Sequence, residues 1–99
     1  MSNIHSKHTE NLFNAILLLE NKKECANFFE DICTIKELQD LSQRLQVAQL
    51  LKTGISYQEI SKLTGASTTT ISRVNKCLVY GSGGYSSVLK KLDLSEGKK

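Results

Sequence analysis

Proline is absent from all 99 residues, so nothing in the chain enforces a kink and helices are free to run. No apolar run approaches the roughly 20 residues that cross a bilayer. The opening MSNIHSKHTEN has no apolar signal region either, so a cytoplasmic protein is expected. Cysteine is scarce and poorly arranged for chemistry. Cys25, Cys33 and Cys77 are odd in number and widely spaced, with no CxxC, which argues against a disulfide framework and a zinc knuckle. Cys25 and Cys33 stand among apolar residues and read as buried thiols. His5 and His8 could share a helix face, but they have no third ligand and sit at a terminus, so no metal site is expected. There is no nucleophile–base pair and no acidic dyad. An enzyme is therefore set aside, and no cofactor is expected.

What remains is an ordinary soluble composition, 39% hydrophobic and 23% charged, in a chain long enough for one domain with a modest core. Charge is unevenly distributed. Residues 1–41 hold four lysines against seven acids, whereas residues 67–99 hold six basic residues against two acids. Positive charge thus collects in the C-terminal part, where a phosphate-facing surface would need it. In a chain this small, chance asymmetry is an alternative origin.

Helical periodicity dominates. Leu12, Phe13, Ile16, Leu17 and Leu19 recur at helical spacing from about Thr9 and cover more than one narrow stripe, the pattern of a helix contacted on two sides. After the polar break Asn21-Lys22-Lys23, the residues Cys25, Phe28, Phe29, Ile32 and Cys33 form a second amphipathic stretch. Thr34 with Glu37 is a capping-box pattern opening a third, longest helix of about 18 residues. Ile35, Leu38, Leu41, Leu45, Ala48 and Leu51 mark one of its faces, Val47 and Leu50 flank it, and Gly54 ends it. Near the C-terminus, Gly81-Ser82-Gly83-Gly84 is a flexible link. It lacks the preceding strand and the Lys-Ser/Thr of a phosphate-binding loop. A last short helix carries Tyr85, Val88, Leu89 and Leu92. Residues 1–8 and 95–99 are expected to be flexible ends around a 9–94 domain.

The informative stretch is SYQEISKLTGASTTTISRVNKCL, residues 56–78. Ser56 caps one helix, with Glu59 placed to complete the box, and Ile60 and Leu63 form its apolar face. Gly65 supplies the left-handed turn, and Ser67 caps a second helix whose stripe is Ile71, Val74 and Leu78. The opposite side carries Thr68, Thr69, Thr70, Ser72, Arg73, Asn75 and Lys76. Short hydroxyls and methyls followed by Arg and Lys suit the edges of bases and the phosphates of a major groove. This is the helix-turn-helix pattern. A packing hairpin with a glycine turn is the alternative.

Six helices and no credible strand give an all-α fold. The N-terminal half holds more apolar helix surface than one subunit obviously needs, so a homodimer through the first three helices, with the last helix as a further candidate, is expected, and a compact monomeric bundle is the alternative. Two reading helices on a two-fold axis would engage successive major grooves about 34 Å apart.

From about Leu12 to Leu92 the sequence resembles the Trp repressor superfamily and, within it, the YerC/YecD branch. The string LQDLSQRLQVAQLLKTGISYQEISKLTGASTTTISRVNKCL carries the likeness, together with the short helix after the glycine-rich link. The resemblance implies an intertwined, six-helix homodimer of bacterial type that regulates transcription. The third helix would support two mobile reading heads, and the last would pack across the dimer. In tryptophan-binding members, an Arg on the third helix and an Arg on the reading helix enclose the amino acid. Arg44 and Arg73 stand at the matching positions here. Those members have Gly immediately after the second Arg, whereas this chain has Val74, whose branched side chain would intrude where the indole lies. Arg73 is accordingly expected on phosphate and Arg44 as a surface or structural residue, with a tryptophan-like corepressor as the alternative use of the pair.

The expected function is a sequence-specific DNA-binding transcriptional regulator of the repressor kind. Thr68, Thr69 and Thr70 would meet base edges, with Ser67 and Ser72 beside them. Arg73 and Lys76 would hold the backbone, and Ser56, Tyr57 and Gln58 would reach phosphate from the first motif helix. Much readout would pass through water or DNA shape. The competing reading is a protein-interaction module that keeps the helix-turn-helix as scaffold in a larger nucleic-acid machine.

Overall fold

The structure is a computed structural model that describes residues 6–97. The described residues form α1 (Lys7–Leu17), α2 (Lys22–Ile32), α3 (Ile35–Leu51), α4 (Tyr57–Thr64), α5 (Thr68–Tyr80) and α6 (Gly84–Gly97), with no strand among them. The fold is all-α, and no helix of the described residues is long and apolar enough to cross a membrane.

Capping side chains explain where the helices start. α1 begins at Lys7, two residues before the expected Thr9, because the Ser6 hydroxyl accepts the Thr9 N–H at 3.1 Å. A cap fixes the first turn by a hydrogen bond that apolar spacing does not register. Asn21 does the same for α2 through Glu24 N–H at 2.9 Å. The box opening α3 is complete: Glu37 N–H donates to Thr34 Oγ1 at 3.0 Å, and Thr34 N–H donates to Glu37 Oε1 at 2.8 Å. α6 starts inside the glycine-rich link, where the Gly83 carbonyl accepts the Ser87 N–H, and continues past the expected Leu94.

The chain falls into two units, Met1–Leu38 and Gln39–Lys99. In the first, none of the described residues 6–38 is buried. Leu17 is 81% exposed, Leu18 77% and Ile35 79%. The expected burial of the cysteines fails here: Cys25 is exposed and Cys33 only half-buried, both as free thiols. On α2, Phe28 and Phe29 are half-buried and meet edge to face at 5.6 Å, while Ile32 is 51% exposed. His8 is exposed on α1, and its proposed companion His5 lies outside the described residues.

Among the described residues, the buried ones all lie in the second unit. Val47, Ala48, Ile60, Ala66, Ile71, Val74 and Leu89 are buried together, with Leu45, Leu50, Leu51, Ile55, Leu78, Tyr85 and Leu92 packed around them. Two expectations are corrected. On α3 the buried residues are Val47 and Ala48, while Leu41 is exposed, so the inward face is rotated toward the flanking residue Val47. On α4, Ile60 is buried but Leu63 is 57% exposed. The inner side of α4 is completed instead by Ser61 and Thr64. Their hydroxyls donate to the carbonyls of Ala66 and Ile60 at 2.7 and 2.8 Å. The bonds to backbone offset the desolvation of these small, half-buried residues, and Leu63 is left to solvent.

Candidate nucleic-acid interface

The turn between α4 and α5 is fixed by short hydrogen bonds. Gly65 ends α4 at φ +78°, and its N–H donates to the Ser61 carbonyl at 2.8 Å. A side chain at that φ would be strained, which is why glycine stands there. The Thr64 hydroxyl that donates to Ile60 also accepts the Ala66 N–H at 3.0 Å. Gln43 on α3 donates from Nε2 to the Thr64 carbonyl at 3.2 Å, bracing the end of α4. Sequence spacing gave no sign of Gln43, whose partner lies 21 residues away. Ala66 is buried beneath the turn. The corner is therefore held from both sides, which sets where α5 points.

Ser56 and Ser67 cap the two helices as expected. The Ser56 hydroxyl accepts the Glu59 N–H, and the Ser67 hydroxyl accepts the Thr70 N–H, each at 3.1 Å. The first turn of α5 carries no acid. The partial positive charge of its N-terminus is left uncompensated and favours an approaching anion.

α5 has two sharply different sides. Ile71 and Val74 are buried and Leu78 half-buried. Thr69, Ser72, Arg73 and Lys76, spaced i, i+3, i+4 and i+7, are all exposed. Thr68 is exposed as well, but Thr70 is half-buried, and its hydroxyl pairs with that of Ser67 at 3.2 Å. Thr70 lies one turn before Val74, so the buried stripe extends back onto it. The expected row of three outward threonines is thus a pair.

Tyr57 from the start of α4 joins Thr68, Thr69, Ser72 and Arg73 to line one shallow, open cleft of about 430 Å³. The tip of the reading helix and the start of the preceding helix share this one concave surface. Ser56, Gln58, Ser67 and Lys76 are exposed outside its lining.

Arg44 is exposed on α3 and is not part of that cleft, which contains Arg73. Burial pushes the Tyr85 phenol above its ordinary value, nearby Cys77 acts in the same direction, and Arg44 opposes them. Arg44 therefore acts electrostatically on the start of α6. Val74 is 3% exposed and belongs to the core. Its side chain is committed to packing in the cluster that holds Ile60, Ala66 and Ile71.

The family model described as Trp repressor protein matches residues 7–93. The uncharacterized protein YerC of Bacillus subtilis (strain 168) is 47% identical over 93 residues, which cover 94% of this chain and 89% of that relative. A crystal structure of a TrpR-like protein from Eubacterium eligens ATCC 27750 is 48% identical, with a TM-score of 0.86 over 90% of this chain and 92% of its own. A solved structure from Staphylococcus aureus is 45% identical, with a TM-score of 0.88 over 94% of this chain and 96% of its own.

Proposed function

The chain belongs to the Trp repressor protein family, and from that premise we propose that it is a sequence-specific DNA-binding regulator of transcription that works as a homodimer. The observation that carries this reading is the α4–α5 surface. Exposed Thr68, Thr69, Ser72 and Arg73 converge with Tyr57 on one cleft, held over a core of Ile60, Ala66, Ile71 and Val74. Such a surface offers hydroxyls and methyls for base edges and a guanidinium for guanine or phosphate. Lys76 continues the same face one turn further for the backbone. The exposed apolar residues of α1 and α2 supply the surface on which a second copy would close. By analogy with the family the regulation we assign is repression in the cytoplasm, through a dimer whose seat on a promoter would exclude polymerase.

Tryptophan has no part in this mechanism. The packing of Val74 and the location of Arg44 outside the cleft support a regulator whose affinity is set without that corepressor.

The test is titration of a labelled duplex from the chain's own upstream region against random duplex, over a range of salt. The upstream duplex should bind more tightly, and added tryptophan should leave its midpoint unchanged. Arg73→Ala should lower the slope of log affinity against log salt by about one, the signature of one lost phosphate contact. Equal binding of both duplexes at low salt would reject sequence-specific regulation, and an unchanged slope would remove Arg73 from the backbone.

A further inference from the structure

We infer that the α4–α5 cleft reads thymine through its C5-methyl group, with Thr69 as the principal contact and Thr68 as the second. This rests on the duplex-reading function proposed above and specifies what that surface recognises. The lining contains no carboxamide and no carboxylate. The cleft thus has neither the bidentate partner that selects adenine nor the acceptor that selects the cytosine amine. Arg73 remains for guanine or phosphate. The hydroxyls of Thr68, Thr69 and Ser72 both donate and accept, so they discriminate weakly between base edges. The threonine methyls and the Tyr57 ring supply the apolar surface that remains, and the major groove offers it a single unique counterpart, the methyl of thymine.

Placement singles out Thr69. It stands in the middle of the outward side, in register with Ser72, Arg73 and Lys76, and shares the cleft with Tyr57. The ring of Tyr57, 37% exposed, adds apolar surface to the same lining. Thr70 is half-buried, with its hydroxyl paired to Ser67, and lies outside the cleft lining. A half-site is therefore expected to hold one or two thymines at fixed positions, adjoining the position served by Arg73.

The experiment starts from duplexes enriched out of a randomised library by the full-length chain. Each thymine is then replaced in turn by deoxyuridine, which removes one methyl and keeps every hydrogen-bonding group. One or two positions per half-site should lose about fourfold in affinity, the worth of one buried methyl. Thr69→Ser should bind thymine and deoxyuridine alike at its position, and Thr69→Val should keep the preference, because it retains a methyl without the hydroxyl. Indifference to every replacement overturns the inference and leaves DNA reading intact. So does a thymine preference that survives at one and the same position in both Thr68→Ser and Thr69→Ser. Failure to enrich any sequence overturns the inference and the proposed function together.

Discussion

α1 and α2 are 11 residues each, and α4 and α5 are 8 and 13. All four begin at a side-chain cap, and all four carry apolar residues at helical spacing. Yet α4 and α5 contribute Ile60, Ile71 and Val74 to a shared core, whereas α1 and α2 bury nothing. The difference teaches where each helix finds its stability. A short isolated helix is marginal in water and depends on packing of its apolar face. α4 and α5 find that packing inside their own unit. The apolar residues of α1 and α2 are suited to a surface from outside it, and in the proposed homodimer that surface is the second copy.

The largest effect should come from the buried side of this contrast. Ile71 is fully buried, so Ile71→Ala should cost about 2–5 kcal/mol through lost transfer energy and the cavity left behind. Urea unfolding followed by circular dichroism measures it. Leu17→Ala, at a residue 81% exposed in the chain, should show a loss that grows with protein concentration as copies associate. A Leu17→Ala loss equal to that of Ile71→Ala and independent of concentration would erase the contrast between the two units.

The next effect isolates the N-terminal helices. Leu17→Glu places a charge on the exposed apolar side of α1, and a charge cannot be buried there without a partner. The variant should sediment as a single chain. Its affinity for a two-half-site duplex should fall about a hundredfold or more, because one head no longer tethers the other. Affinity for a duplex with one half-site should hardly change. A variant that sediments like the parent would remove α1 from the interface.

The same contrast explains what was legible in the sequence. The caps at Thr34, Ser56 and Ser67 and the turn at Gly65 could be read directly, since each depends on residues within one turn. The six-helix order followed from spacing. Faces were less legible. Spacing alone favours Leu63 over Thr64 as an inward residue, but the Thr64 hydroxyl satisfies itself on backbone and takes the inner place. Val47 displaced its neighbours because burial on α3 is set by what α4 and α5 present to it, which no local pattern records. Cys25 read as buried from its apolar neighbours, yet Phe28 and Phe29 are themselves only half-buried and Cys25 stays exposed. For the candidate site, the outward pair Thr68 and Thr69 could be read from sequence. The partial burial of Thr70 could have been found one turn ahead of Val74. The bracing of the turn by Gln43 could not.

The smallest effect separates the caps of the two units. Ser67 and Asn21 make equivalent bonds, to Thr70 N–H at 3.1 Å and Glu24 N–H at 2.9 Å. Replacing either by Ala should cost about 1 kcal/mol of helix stability. Only the loss at Ser67 loosens the turn that carries Thr68 and Thr69, so Ser67→Ala should lower duplex affinity about fivefold, a cap's worth of fraying, while Asn21→Ala leaves a single half-site unaffected. The Thr70 amide should exchange faster in Ser67→Ala, which reports the fraying directly. Ser67→Asn restores a neutral cap and should recover both protection and affinity. Ser67→Asp should recover protection alone, since its carboxylate caps the helix but stands beside the approaching phosphates. If Asp restored affinity as fully as Asn, the N-terminal tip of α5 would not be facing DNA.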